Sequence, residues 1–202
     1  MKKIKILFLT ISLSFGLIFG ASASTWAAQV APNFTLPDSK GKQVKLSELK
    51  GKFVVLEWFN DGCPYVQKHY KSNNMQKLQK KYTQKGVVWL SILSSAPGKQ
   101  GHKTGQEINA LMTEVKGAQS ANLLDPEGKV GRLYEAKTTP HIFVIGPQGK
   151  ILYQGAIDSN SSFDPADIPG STNYLAVALD EAMAGKPVSN PATVPYGCSV
   201  KY

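Results

Sequence analysis

From Lys52 to Phe59 the chain is apolar at nearly every position, and only then do Asn60-Asp61-Gly62 lead into Cys63-Pro64. A short apolar run without alternation predicts a strand buried on both faces. Val87 to Leu93 repeats the pattern and predicts a second such strand. Between them, Pro64 to Lys85 is rich in Gln, Lys, Met and Leu and has no interior glycine; Val66, Tyr70, Leu78 and Tyr82 fall near helical spacing, which predicts one long helix. Upstream, two short extended segments within Ala31 to Leu49 flank the Asp38 to Gly41 turn, a hairpin signal, and Ser47 is placed to cap a turn over Glu48 to Lys50. Downstream come a polar loop over Gly98 to Gly105, a helix over Gln106 to Lys116, a short strand at Asn122 to Leu124 and a helix over Glu127 to Glu135. His141 to Ile145 and Ile151 to Gly155 are strands joined by the turn Gly146-Pro147-Gln148-Gly149. A helix over Asn173 to Met183 and a Pro-rich tail from Gly185 to Tyr202 close the chain. Strand, helix, strand, helix, then a hairpin and a helix predict an α/β fold, a central mixed sheet flanked by helices with an N-terminal β-hairpin extension.

The first 23 residues stand apart. Met1-Lys2-Lys3-Ile4-Lys5, an apolar stretch from Ile6 to Phe19 and Ala21-Ser22-Ala23 form the pattern of a secretory signal peptide, too short for a usual membrane span. The expected organisation is therefore a signal at 1–23, one domain at 30–184 and a tail at 185–202 that carries Cys198, with export to a bacterial periplasm. Membrane attachment follows only if the signal stays uncleaved. Losing Lys2, Lys3 and Lys5 with no acidic residue takes the formal charge from +9 to +6. That charge is mostly scattered lysine, with Arg132 the single arginine of the chain, and no recognition motif accompanies it, so nucleic acid is not an expected partner. The two cysteines, Cys63 and Cys198, are too few for a disulfide scaffold and read as one bridge or a redox pair.

Cys63 carries the chemistry. A cysteine where a strand meets a helix has its thiolate stabilised by the free N–H groups and positive dipole end of the first turn, which lowers a thiol pKa from about 8.5 towards roughly 3.5 to 7.5. Pro64 suits the first helical position, where no N–H is needed. Strand alternation sets Glu57 on the Val55 and Phe59 side, opposite Leu56, Trp58 and Asn60. A carboxyl desolvated beneath the thiol would have a raised pKa and would be able to accept or return a proton; the alternative is a rim carboxylate that keeps the strand soluble.

Trp58-Phe59 followed by Cys63-Pro64, the Thr138-Thr139-Pro140 before a strand, and Phe143-Val144-Ile145 with Gly149 resemble the thioredoxin fold, in its redoxin branch of alkyl hydroperoxide reductase and thiol-specific antioxidant proteins. More narrowly, Cys63-Pro64-Tyr65-Val66 with His69-Tyr70, Thr139-Pro140-His141, Tyr153-x-Gly155-Ala156-Ile157-Asp158 and Gly197-Cys198-Ser199-Val200-Lys201 are similar to a peroxiredoxin-like subgroup. The resemblance implies a thiol-dependent oxidoreductase without cofactor or bound metal, acting on a protein thiol or disulfide or on a small oxidant. It implies catalytic positions at Cys63, Cys198, Glu57 and a cis Pro140 facing the thiol, and partner-binding positions at Pro64, Thr139, Trp58 and Asn60.

Two departures matter. Val66 stands where thioredoxin-type reductases have their second cysteine, which leaves Cys198 as the candidate resolving thiol; a static bridge to Cys63 and a free or intermolecular thiol remain alternatives. Peroxidatic sites resemble Thr-x-x-Cys with a distant arginine, but Asn60 replaces the threonine and Pro140 stands about where the arginine would be. A peroxiredoxin-like peroxidase is thus an alternative function. A second alternative is a metal-binding or delivery module using Cys63, Cys198 and His141, since thiolates and imidazole suit soft ions. A third is a redox-inert domain with a structural bridge. His69, six positions after Cys63, is expected on another helical face and not as the base; His102 carries no motif.

Overall fold

The computed structural model describes residues 29–202. The signal segment read at 1–23 lies outside the described residues. The chain runs β1 (Thr35–Pro37), β2 (Gln43–Lys45), β3 (Val54–Trp58), α1 (Pro64–Lys71), α2 (Asn74–Thr83), β4 (Val88–Leu93), α3 (Gly105–Glu114), β5 (Ala121–Leu124), α4 (Lys129–Leu133), β6 (Thr138–Thr139), β7 (His141–Ile145), β8 (Ile151–Gly155), α5 (Tyr174–Met183) and β9 (Cys198–Ser199). Five strands form the central sheet in the order β5-β4-β3-β7-β8. β3 pairs parallel with β4 and antiparallel with β7, so the sheet is mixed as its sequence predicts.

Alternation divides β3 between two cores. Val55 and Phe59 enter the core built with α1, α2, α3 and α5, and Cys63 belongs to it. Val54, Leu56 and Trp58 enter the other, covered by the N-terminal hairpin and its flanks through Phe34, Leu36 and Leu46, by α4 through Val130 and by Tyr134 just after it. All five residues of β3 are buried, which is what its unbroken apolar run predicts.

Three expectations are corrected. The predicted long helix is two helices, because Asn73 adopts the left-handed conformation (φ 58°) between α1 and α2. Asparagine tolerates that region better than other side chains, and Ser72 Oγ takes up the α1 end by donating to Lys68 O at 2.8 Å. The turn after β2 is a 3-10 helix over Leu46–Leu49 without a side-chain cap; Ser47 donates its backbone N–H to Asn33 Oδ1 at 2.9 Å instead of capping. The tail is extended as its prolines predict, but it ends in a strand: β9 pairs antiparallel with β6, Thr139 opposite Cys198.

Candidate functional site

The turn between β3 and α1 is organised by Asn60. Its Oδ1 accepts the Gly62 N–H at 2.9 Å, and its backbone carbonyl accepts the Cys63 N–H at 3.1 Å, an Asx-type turn that ends the strand and sets the thiol at the helix start. Cys63 is the N-cap residue of α1, in extended conformation, with Pro64 first in the helix. The polar loop before α3 is tied to this turn: Asn60 Nδ2 donates to Gln100 O at 3.3 Å, Gln100 Nε2 to Gly62 O at 3.1 Å, and Lys103 pairs with Asp61 at 3.0 Å. A Cβ on Gly62 would lie 2.7 Å from Gln100 Cγ, so glycine lets the two loops touch.

The Cys63 side chain is fully buried (0% exposed) and donates to the carbonyl of Thr139 at 2.9 Å. The Thr139–Pro140 bond is cis. On the other side of Thr139 runs the tail, with Thr139 Oγ1 at 3.5 Å from Cys198 O and the Cys198 thiol close enough to Cys63 to be perturbed by it. Gly197, at φ 142°, makes this approach; a Cβ there would stand 2.2 Å from Thr139 O. The Cys198 thiol is pushed up to about 11, by burial first and then by the hydrogen bond and charge of Cys63. Both cysteines are free thiols.

Glu57 is buried on the same sheet face as Cys63 and has four donors. Tyr70 OH gives to Oε1 at 2.8 Å; Trp89 Nε1 at 2.7 Å, Ser91 Oγ at 3.2 Å and Gln79 Nε2 at 3.3 Å give to Oε2. Burial raises its pKa, and the hydrogen bonds from Trp89, Tyr70, Gln79 and Ser91 oppose the rise. A rim position is excluded by its complete burial. Glu57→Gln keeps the volume but puts a donor NH2 where a carboxyl oxygen accepts, so the surrounding donors cannot all be satisfied, and it should cost about 1–3 kcal/mol in urea unfolding at neutral pH. Because the folded pKa is raised, the stability tied to Glu57 is full below its ordinary value and is lost as pH rises through the folded pKa. The wild-type advantage over Glu57→Gln should therefore shrink as pH is raised above about 4.5; a constant difference would refute the assignment.

Not every expected residue reaches the thiol. Trp58 packs on the opposite face against Tyr134 and Phe143, fully buried, with Nε1 donating to Ser94 Oγ at 3.1 Å. His141 shares that face: it is cross-strand partner to Trp58, stacks 4.7 Å from Phe143 and accepts the Lys137 N–H at Nδ1 (3.3 Å). It therefore does not converge with Cys63 and Cys198, and among the described residues no group of three His, Cys, Asp or Glu could hold a metal ion. Arg132 donates to Glu127 O at 2.6 Å and stacks 4.5 Å from the Tyr202 ring, committed to the chain end.

Three residues outside the expected set, Lys68, His69 and Asp158, surround Tyr196 of the tail, two residues before Cys198. Lys68 (1% exposed) pairs with Asp158 (2% exposed) at 3.1 Å, and Tyr196 OH donates to Asp158 Oδ1. His69 Nε2 lies 3.3 Å from Tyr196 OH. His69-Tyr70 and Asp158 stand within the resembling motifs, but nothing in their spacing connects them with Tyr196.

The sheet order, with a cysteine at the start of α1 and its thiol against the Thr139 carbonyl, is that of the thioredoxin-like class. The family is more particular. Residues 27–154 match the AhpC/TSA family, and the chain belongs to it. Similar proteins include the thiol-disulfide oxidoreductase ResA of Bacillus cereus, 36% identical over 162 residues (75% of this chain, 88% of that protein), and of Bacillus subtilis, 27% identical over 140 residues (68% and 72%). Among solved structures, a putative thiol:disulfide interchange protein DsbE from Chlorobium tepidum is 27% identical with a TM-score of 0.57, covering 78% of this chain and 97% of its own. A hypothetical protein from Sinorhizobium meliloti is similar in fold over 89% of this chain and 96% of its own, with TM-score 0.74 and 22% identity.

Proposed function

We propose that this protein is an exported thiol-disulfide oxidoreductase in which Cys63 is the nucleophile and Cys198 the resolving thiol. One observation carries the reading: β6–β9 pairing sets Cys198 opposite Thr139, the residue whose carbonyl holds the Cys63 thiol. The Cys63 thiolate attacks a partner disulfide, forming a Cys63–partner bond and releasing one partner thiolate, which takes up a proton. Cys198, deprotonated as it attacks, then displaces the second partner sulfur. The partner gains two electrons and two protons and leaves as a dithiol; Cys63 and Cys198 become a disulfide. The reverse sequence oxidises a partner dithiol. The high pKa of Cys198 fits the second role, since it stays a thiol while Cys63 reacts.

Glu57 is the proton-holding group on β3 in this scheme, and Thr139, Pro140 and Pro64 form the wall that a partner meets. Asn60 acts through the shape of its turn. The partner class is a protein thiol or disulfide, in keeping with the relatives named thiol-disulfide oxidoreductases. Export rests on residues 1–23; no helix of the described residues is long and apolar enough to cross a membrane.

The peroxidase reading asks for donors that stabilise charge on the leaving oxygen, each commonly worth about 3–4 kcal/mol. Asn60 turns its side chain to its own loop, and Arg132 is engaged at the chain end. Reduced protein mixed with hydrogen peroxide in single-turnover mode should therefore oxidise within about tenfold of a free thiol, a barrier difference of about 1.4 kcal/mol, while a small-molecule or protein disulfide oxidises it with formation of Cys63–Cys198. Peroxide oxidation faster by orders of magnitude, absent in Cys63→Ser, would move the assignment to a peroxidase.

A further inference from the structure

The proposed exchange leaves a buried charged cluster unused. Lys68 and His69 lie on α1, the helix that Cys63 begins, and Asp158 follows β8. Lys68 Nζ is held by Asp158 Oδ2 at 3.1 Å and by the Asn160 carbonyl at 2.8 Å, with the Tyr196 ring 5.5 Å away. Asp158 Oδ1 accepts from Tyr196 OH and from the Asn160 N–H, and His69 meets Tyr196 OH with Nε2 while Nδ1 faces Asn74 Nδ2 at 2.8 Å. Taking a lysine and an aspartate out of water costs several kcal/mol per ion, so the pair depends on the hydrogen bonds that reach it: these fall on Asp158 Oδ1, while Oδ2 has the Lys68 charge and no hydrogen bond among the described residues. Tyr196 supplies one of them from the tail, two residues before Cys198.

We propose that Lys68, His69, Asp158 and Tyr196 form a positioning centre that fixes the tail, so that Cys198 stands over Cys63 before any disulfide exists. This deepens the proposed exchange function and rests on it. A second cysteine supplied by an extended tail would ordinarily have to find Cys63 by diffusion of the chain. Tail motion is removed here at the residue that sets the register: Tyr196 is pinned to α1, Gly197 passes against Thr139 and Cys198 pairs with it. The cluster replaces by tertiary structure the fixed spacing of a Cys-x-x-Cys motif. It also keeps the β6–β9 pair closed over a thiol with no exposed surface, so a protein partner reaches Cys63 only when the tail lifts.

Tyr196→Phe deletes one hydroxyl and keeps the ring that packs 5.8 Å from Tyr65. Two quantities report the tail. In glutathione redox buffers, the effective concentration of the Cys63–Cys198 pair should fall at least about tenfold in Tyr196→Phe, equivalent to about 30 mV for a two-electron couple. In a Cys198→Ala background, iodoacetamide should alkylate Cys63 at least about fivefold faster when Tyr196→Phe is added, because opening of the tail limits access. Tyr202→Phe serves as comparison: it frees the other end of the tail, where Tyr202 OH donates to Ala136 O at 2.9 Å, and should change both quantities less. Unchanged values in Tyr196→Phe, or equal effects of Tyr202→Phe, overturn the proposal, and thermal melts separate loss of positioning from loss of fold. If the wild-type chain forms no Cys63–Cys198 disulfide at all, the exchange function falls, while the alkylation arm still decides whether the cluster holds the tail.

Discussion

Replacing Cys198 by serine should convert a transient mixed disulfide into a persistent one. With a protein or small-molecule disulfide as partner, Cys198→Ser is expected to accumulate a covalent Cys63–partner adduct that dithiothreitol releases, and multiple turnover should fall by at least about a thousandfold, since effective concentrations of well-placed intramolecular groups commonly reach far above those of external thiols. Cys63→Ser should form no adduct and show no turnover. The asymmetry is the informative part. Cys63 caps α1 and lends its thiol to Thr139 O, whereas the Cys198 thiol is held protonated up to about 11 by burial and by Cys63 itself. On the proposed exchange, attack begins at Cys63 and resolution at Cys198. Gel shift with a thiol-reactive polymer on acid-quenched samples distinguishes the two variants. Adduct at Cys198 in Cys63→Ser, with none at Cys63 in Cys198→Ser, would reverse the roles.

What the sequence made legible was set by local patterns. The double-sided burial of β3, the hairpin of β7 and β8 and the place of Cys63 at a helix start all follow from a few neighbouring residues, and these appear as expected. The cis bond at Thr139–Pro140 came from family resemblance, not from periodicity. Long-range partners were out of reach. Glu57 could be placed on the correct face by alternation, but its four donors come from β4, α1 and α2, and no spacing rule joins Tyr70, Gln79, Trp89 and Ser91. The same holds for Tyr196, whose partners are about 40 residues and more than 120 residues away. Trp58 shows the converse. Its position in the motif drew it into the site, but alternation had already set it opposite Glu57, and the fold buries it on the far face. The break at Asn73 was signalled only by Ser72-Asn73-Asn74 inside an otherwise helical pattern, residues that suit a left-handed cap as well as a polar helix face.

Acidification from pH 7 to pH 4 should destabilise the fold by several kcal/mol, and His141 and His69 are the expected source. Burial lowers the His141 pKa to about 3, with the Lys137 charge adding to the effect, and lowers His69 to about 4, where Asp158 opposes the shift and Lys68 adds to it. Above those values both imidazoles stay neutral in the fold, while their unfolded counterparts gain protons below about 6.5. Their stability is thus present above that value and lost as pH falls towards the folded pKa. Over the 2.5 units between 6.5 and 4, at about 1.4 kcal/mol per unit, each group gives up about 3 kcal/mol. Glu57 works against this, because it takes up its proton in the fold first and so returns stability as pH falls towards its ordinary value. His141→Phe isolates one contribution: the ring still packs against Phe143, and only the Lys137 N–H loses its acceptor. Urea unfolding at pH 7 and pH 4 should show the wild-type loss reduced by about 3 kcal/mol in His141→Phe. An identical loss in both proteins would mean that His141 is charged in the fold at pH 4. That charge would stand against Phe143, on the sheet face that also buries Trp58 and Tyr134, so the acid response reads the integrity of that core.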